Sequence, residues 1–102
     1  MDAILNNVIE QAYASSSAKT EALKVLYHSE DKLYFQINNP TYSEMNVSLF
    51  NSAGNVLINK NILVESGVST HEINIEKMPS GIYLLQLMRD KEVFSQRAQI
   101  VR

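Results

Sequence analysis

The sequence predicts an all-β fold, a sandwich of seven short antiparallel strands preceded by a short N-terminal helix. Three observations lead to this prediction. Most of the chain after residue 21 consists of short runs in which apolar and polar residues alternate, as in half-buried strands. Turn-forming residues interrupt these runs about every 8–12 residues. No stretch between two runs has the apolar spacing of a crossover helix, so antiparallel pairing is favoured over a parallel sheet.

Size and composition fit one globular domain. The chain has 102 residues, of which 45% are hydrophobic and 20% charged, and a chain of this size supports a single core. A net charge of −2 without a cluster of lysine or arginine argues against nucleic acid as a partner. The chain has no cysteine, which excludes disulfides and thiolate chemistry. No apolar run approaches the ~20 residues of a transmembrane helix.

Residues 1–17 are expected to form a helix and a linker. Their apolar side chains recur at helical spacing: Ile4, Leu5, Val8, Ile9, Ala12 and Tyr13. The small and polar residues 14–20 have the composition of a linker, and the sandwich is expected over residues 18–102. A helix this short needs a surface to be stable. It would pack on its own domain or on a neighbouring molecule, or else be the tail of a preceding domain or a partner-binding helix.

The strands are expected in the order in which the alternating runs occur. In the second run, Leu33, Phe35 and Ile37 would point inward and the residues between them outward. The run 56–64 contains two apolar clusters separated by polar residues, so one bent strand or a strand and a loop is expected. The seven strands are expected at 23–27, 32–38, 45–50, 56–64, 69–75, 82–89 and 93–101.

The stretch 78–87 is expected to be the central strand of the domain with the turn before it. Pro79 suits a turn because it has a fixed φ and no N–H, and Gly81 tolerates conformations or close contacts that other residues do not. From Ile82 onward both faces of the strand are apolar, which predicts cover on both sides. Tyr83 stands near the start of a late strand, where immunoglobulin-like sandwiches have a corner tyrosine. The fold is therefore predicted to be immunoglobulin-like.

The sequence offers little support for catalysis. Neither His28 nor His71 lies in a recognisable motif, and there is no nucleophile elbow and no glycine-rich phosphate loop. We expect no catalytic residue, no metal site and no cofactor. Tyr34 and Tyr42 are expected to face outward, where tyrosines contact a sugar or a protein partner in some sandwiches and are isolated surface residues in others.

Four segments carry a resemblance to a known family. They are Asp-Lys-Leu-Tyr-Phe at 31–35, Val-Ser-Leu-Phe-Asn-Ser-Ala-Gly-Asn-Val-Leu at 47–57, Met-Pro-Ser-Gly-Ile-Tyr-Leu-Leu at 78–85 and Ile-Val-Arg at 100–102. In order and spacing they resemble the type A C-terminal sorting domain of cargo proteins of the Bacteroidetes type IX secretion system. The resemblance covers residues 23–102.

The resemblance implies a non-catalytic secretion address that is recognised by the outer-membrane translocon. In typical members a cell-surface sortase then removes the domain and attaches the cargo to anionic lipopolysaccharide. The protein would therefore be exported, first to the periplasm and then to the cell surface or the medium. The residues expected to form the recognised surface are Gly81, Tyr83, Arg97, Ile100, Val101 and Arg102. Processing is expected at Ala14, Ser15, Ser16, Ser17 and Ala18.

A second interpretation stays open. The chain would then be a structural or adhesive immunoglobulin-like module of a secreted or surface protein, retained as a spacer or a binding surface. The sequence does not distinguish oligomeric states.

Overall fold

The computed structural model describes residues 22–102. They form seven strands: β1 (Leu23–His28), β2 (Lys32–Asn39), β3 (Ser43–Phe50), β4 (Val56–Val64), β5 (Gly67–Asn74), β6 (Gly81–Arg89) and β7 (Glu92–Ile100). The predicted number and order of the strands are confirmed. The predicted N-terminal helix, the linker and the boundary at residues 17–18 lie outside the described residues.

The strands form two antiparallel sheets. One sheet has the order β1-β2-β5, and the other has the order β4-β3-β6-β7. Three hairpins, β1-β2, β3-β4 and β6-β7, stay within a sheet, whereas the other three connections cross from one sheet to the other. One buried apolar cluster contains side chains of both sheets. The all-β prediction with antiparallel pairing is therefore confirmed.

The core follows from the two-residue period of the strands, which places every second side chain on the same face. In β2, Leu33, Phe35 and Ile37 are buried, and the residues between them are more accessible. The other sheet contributes the alternate residues of β3 and β6. The fully buried side chains of these two strands are Met45, Val47, Leu49, Leu85 and Leu87.

Strand β6 is central in its sheet, but the predicted cover on both faces is wrong. It pairs with β3 on one side and with β7 on the other. Tyr83, Leu85 and Leu87 are buried, whereas Ile82, Leu84 and Met88 are 43%, 39% and 40% exposed. No other strand of residues 22–102 covers the outer face of this sheet. These apolar side chains instead lie beside cross-strand neighbours such as Phe50 and Val93.

Of the two expectations for residues 56–64, the single strand is found. β4 runs from Val56 to Val64 beside β3, with a register irregularity next to Phe50. Asn59 and Asn61 at its centre pair with the polar Ser48 and Asn46 of β3, and Asn46 donates hydrogen bonds to Asn59 (3.3 Å) and Asn61 (2.9 Å). The polar interruption in the sequence therefore marks a polar patch on the outer face and not the end of a strand.

Candidate functional site

All four segments that carry the family resemblance reach the same end of the domain. The pairing register brings the end of β3 beside the start of β6, because Phe50 pairs with Leu84. Gly81 pairs with Ile100 and Lys32 with Asn74, so the start of β2 and the ends of β5 and β7 lie there too. We call this region the motif end. It consists of the β1-β2 turn (29–31), the β3-β4 turn (51–55), the β5-β6 loop (75–80) and the last two residues.

A cleft of about 470 Å³ opens at the motif end between the β3-β4 turn and the β5-β6 loop. Its walls are backbone and small or apolar side chains, and Lys77 supplies a positive charge. The lining residues include no carboxylate. The residues that line the cleft are Asn51, Ser52, Ala53, Leu57, Lys77, Met78, Pro79, Ser80, Gly81, Ile82 and Tyr83.

The β3-β4 turn forms one wall of the cleft and is fixed by Asn51. The side-chain oxygen Oδ1 of Asn51 accepts hydrogen bonds from the N–H groups of Ala53 and Asn55, both at 3.0 Å. The Asn51 N–H donates to the Asn55 carbonyl. Gly54 has φ +88°, which L-residues with side chains rarely adopt. The turn joins β3 to β4 as a hairpin.

Tyr83 stabilises the opposite wall of the cleft, which is formed by the β5-β6 loop. Its side chain is 5% exposed, and its hydroxyl donates a 2.6 Å hydrogen bond to the carbonyl of Pro79. A buried tyrosine needs such a partner for its polar tip. The bond joins the start of β6 to the loop that leads into this strand. Tyr83 therefore fixes the position of Pro79 at the edge of the cleft.

Gly81 lines the cleft without a conformational need for glycine. Its φ is outside the left-handed region. A Cβ atom added at Gly81 would meet Tyr83 Cε1 at 3.8 Å, an ordinary van der Waals distance, and nothing nearer. The backbone at this position therefore tolerates a side chain, and the glycine keeps the wall of the cleft open.

The last residue is fixed to two loops of the motif end. The Arg102 guanidinium donates hydrogen bonds to the carbonyl oxygens of Glu30, Ile75 and Met78. The Arg102 N–H donates to Ser80 Oγ at 2.8 Å. One side chain thus joins the β1-β2 turn to the β5-β6 loop. We call these four bonds the Arg102 cluster.

Val101, the residue before Arg102, is held by His28. The Val101 N–H donates to His28 Nε2 at 3.1 Å, and His28 Nδ1 lies 2.7 Å from the Ser29 carbonyl. Because Nε2 accepts here, the proton is assigned to Nδ1, which donates to Ser29. His28, the last residue of β1, is therefore a structural contact of Val101.

The structure brings the predicted recognition residues to one end but not to one surface. Gly81 and Tyr83 both line the cleft, although the Tyr83 side chain is only 5% exposed. Ile100 is 1% exposed, so its side chain belongs to the core and does not reach a partner. Val101 is 65% exposed, and Arg97 is exposed on β7 in register with Leu84.

The other predicted candidates lie elsewhere. Tyr42 is exposed, and Tyr34 stacks on Tyr27 with ring centroids 4.8 Å apart. The processing residues Ala14, Ser15, Ser16, Ser17 and Ala18 lie outside the described residues. Sequence reasoning missed Tyr27 as a stacking partner, because the register irregularity in β1 places it beside Tyr34.

His71 lies away from the motif end, on the inner face of β5. Its ring stacks on Phe35, and its Nε2 lies 2.8 Å from Ser69 Oγ. Burial, and secondly the charge of Lys60, lowers the pKa of His71 from its ordinary value of 6.5. These contacts describe a neutral packing residue. Residues 22–102 contain no group of three or more potential metal ligands.

Sequence reasoning also missed Lys77, Asn51 and the contact made by His28. An asparagine before a Ser-Ala-Gly turn is a signal for a side-chain-capped turn, so Asn51 could have been found. Lys77 has no motif around it, and the partner of His28 lies at position 101. No local pattern predicts that contact.

The fold and the site define a small all-β domain of two antiparallel sheets with an open cleft between two turns at one end. Within residues 22–102 no helix is long and apolar enough to cross a membrane. The chain belongs to the family of secretion system C-terminal sorting domains, whose model matches residues 29–101. The resemblance inferred from the four segments is thereby confirmed. Comparison with curated proteins gave no match.

Membership of this family gives the function. The domain is a C-terminal sorting signal for cargo of the type IX secretion system. Its cargo is a secreted or cell-surface protein.

Proposed function

We propose that the motif end is the surface by which the secretion machinery recognises this domain. The observation that carries the proposal is the convergence of four sequence segments, separated by up to about seventy residues, at one end of the domain, where two of them line a cleft. Gly81 keeps the cleft open, and Val101 is exposed at the same end. Arg97 is exposed on β7 opposite Leu84 and is not among the residues that line the cleft, so it is not part of the proposed surface. Tyr83 and Ile100 act indirectly, because their buried side chains hold the surface from inside.

The partners in this proposal are the outer-membrane translocon and a cell-surface sortase. The domain passes through the periplasm attached to its cargo, and the sortase cleaves within residues 14–18. The domain itself has no catalytic role. The cleft supports this because it offers one amine, Lys77, without a carboxylate or imidazole among its lining residues.

We also infer that the two sheets form an immunoglobulin-like sandwich. The orders β1-β2-β5 and β4-β3-β6-β7 correspond to strands A-B-E and C′-C-F-G of that class. On this assignment Tyr83 is near the start of strand F, and its bond to Pro79 is the bond of a corner tyrosine.

A reporter fusion tests the recognition proposal. All 102 residues are fused behind a reporter that has its own periplasmic export signal, in a host with a type IX secretion system. We expect the reporter at the cell surface or in the medium. A reporter that stays in the periplasm contradicts the proposal.

A matched pair of variants tests which end of the domain is recognised. Ile82 and Met88 lie on the same face of β6 with nearly equal exposure, but Ile82 lines the cleft and Met88 lies near the other end. We expect Ile82→Glu to block secretion and Met88→Glu to leave it unchanged, with both variants folded by circular dichroism. Equal effects of the two substitutions would contradict recognition at the motif end.

The fate of the domain distinguishes the sorting function from the second interpretation. Mass spectrometry of the surface reporter should find the domain removed, with the new end within residues 14–18. An intact fusion at the surface would favour a retained structural or adhesive module. The stacked pair of Tyr27 and Tyr34 on the outer face of the three-stranded sheet is the feature that suits such a module.

A further inference from the structure

The Arg102 cluster uses the shape of the guanidinium group as well as its charge. Nε, Nη1 and Nη2 each donate to a different carbonyl, those of Met78, Glu30 and Ile75. A planar guanidinium presents five donors in a fixed arrangement, whereas a lysine ammonium is a compact point charge. Three carbonyls from two segments can therefore be held together by arginine in a way that lysine does not reproduce.

The acceptors of the cluster are neutral backbone groups. Within residues 22–102 no carboxylate forms an ion pair with Arg102, although Lys32 and Arg89 do pair with acidic residues. Hydrogen bonds from a charged donor to carbonyl oxygens are stronger than those between neutral groups. The arginine is therefore directed at the backbone of its own domain.

The cluster acts on the wall of the cleft. Met78 and Ser80, which bind the Arg102 side chain and N–H respectively, both line the cleft. Ile75, the first residue of the loop, is buried, and its N–H donates to the Asp31 carbonyl at 2.9 Å. Arg102 thus ties the β5-β6 loop to the buried end of one sheet.

We propose that Arg102 is a positioning residue of the sorting signal. It holds the β5-β6 loop in the shape that the partner recognises, and its guanidinium is not itself the recognised group. The partner thus recognises a folded surface assembled from distant segments and not a linear basic end of the chain. This inference rests on the proposed function of the motif end.

Arg102→Lys tests the proposal, with Arg97→Lys as the matched control. Both substitutions keep the positive charge, and Arg97 has no side-chain hydrogen bond within the described residues. We expect Arg102→Lys to reduce secretion several-fold and to speed amide exchange at Met78 and at Val101. Arg97→Lys should change neither. Unchanged secretion of Arg102→Lys would overturn the proposal.

A core variant separates positioning from loss of global stability. Leu87→Val removes one methylene from a buried site on β6 away from the cleft, at a cost of about 1 kcal/mol. We expect it to lower the melting temperature while secretion continues. If secretion falls in proportion to the loss of stability in both Arg102→Lys and Leu87→Val, Arg102 has a general structural role and the proposal is wrong.

An engineered disulfide replaces the cluster without a guanidinium. Ser80 Oγ lies 2.8 Å from the Arg102 nitrogen, so the two residues are in direct contact, and a disulfide joins residues whose Cα atoms are about 4.4–6.8 Å apart. The chain has no other cysteine, so the double variant Ser80→Cys, Arg102→Cys has one possible internal bond. We expect secretion to be restored when this disulfide forms. In the control double variant Ser80→Ala, Arg102→Cys, which cannot form the bond, we expect secretion to be lost.

The outcomes distinguish failure of this proposal from failure of the proposed function. If the oxidised double variant has a protected loop and is still not secreted, the guanidinium itself is recognised and the positioning role is wrong. If the unmodified fusion is not secreted, the recognition proposal fails instead. In that case amide exchange of purified wild type, Arg102→Lys and Arg97→Lys still decides whether Arg102 fixes the loop.

Discussion

Replacing Tyr83 by phenylalanine isolates one hydrogen bond that supports the motif end. The ring is 5% exposed and keeps its apolar contacts in the variant, so the change is the loss of the hydroxyl bond to Pro79. A hydrogen bond of this kind contributes about 0.5–1.5 kcal/mol net. Pro79 is exposed, so water can reach its carbonyl after the substitution, and the cost should be about 1 kcal/mol. For a domain of this size that is a fall in melting temperature of about 4–8 °C.

Thermal and urea unfolding followed by circular dichroism measure this cost. Tyr42→Phe is the matched control, because Tyr42 is exposed and its hydroxyl has no hydrogen bond within residues 22–102. We expect Tyr42→Phe to stay within about 0.3 kcal/mol of wild type. Equal stabilities of the two variants would refute the assigned role of the Tyr83 hydroxyl. A loss of more than about 3 kcal/mol would show that the ring had moved, since that exceeds the worth of one such bond.

Three further predictions concern β6, the glycines and pH. Leu85→Ala should cost about 2–5 kcal/mol and Leu84→Ala less than about 1 kcal/mol, because only Leu85 is fully buried; equal costs in urea unfolding would mean that both faces are covered. Gly67→Ala should lower the free energy of unfolding by about 1–2 kcal/mol because the φ of Gly67 is +98°. Gly81→Ala should leave the melting temperature unchanged, and a lower melting temperature would contradict the open space found around Gly81. The pKa of His71 is lowered in the fold, so below pH 6.5 the unfolded chain binds a proton that the folded chain resists, and stability falls as pH falls. The stability of His71→Gln relative to wild type should therefore be higher at pH 5 than at pH 7.5, and a pH-independent difference in urea midpoints would contradict the shift.

Local periodicity was sufficient to predict the strands. Alternation in β2 and the turn around Gly54 depend on neighbours within a few residues, so the sequence contains what is needed to infer them. Cover on the second face of β6 was predicted wrongly from Leu84 and Met88. Apolar residues can also pack sideways on neighbouring strands of an open sheet, and a single strand's pattern does not distinguish that arrangement from a covering layer.

The candidate site was predictable in its members and not in its arrangement. Gly81 and Arg102 were selected from the family resemblance, and both lie at the motif end. The separation between the buried Ile100 and the exposed Val101 follows from strand parity. The acceptors of the Arg102 guanidinium, in contrast, are backbone groups, which have no signature in the sequence.

The sequence by itself determined the seven strands, their turns and the family, because these depend on local residue patterns and on four recognisable segments. The tertiary structure alone decided that these segments meet at one end, where two of them line a cleft. It also decided that Arg102 binds the loop carrying Met78 and does not project freely. The physical reason is that strand pairing and sheet packing join residues up to 73 positions apart, as His28 and Val101 show. Such contacts follow from the whole fold and not from the residues beside them in the chain.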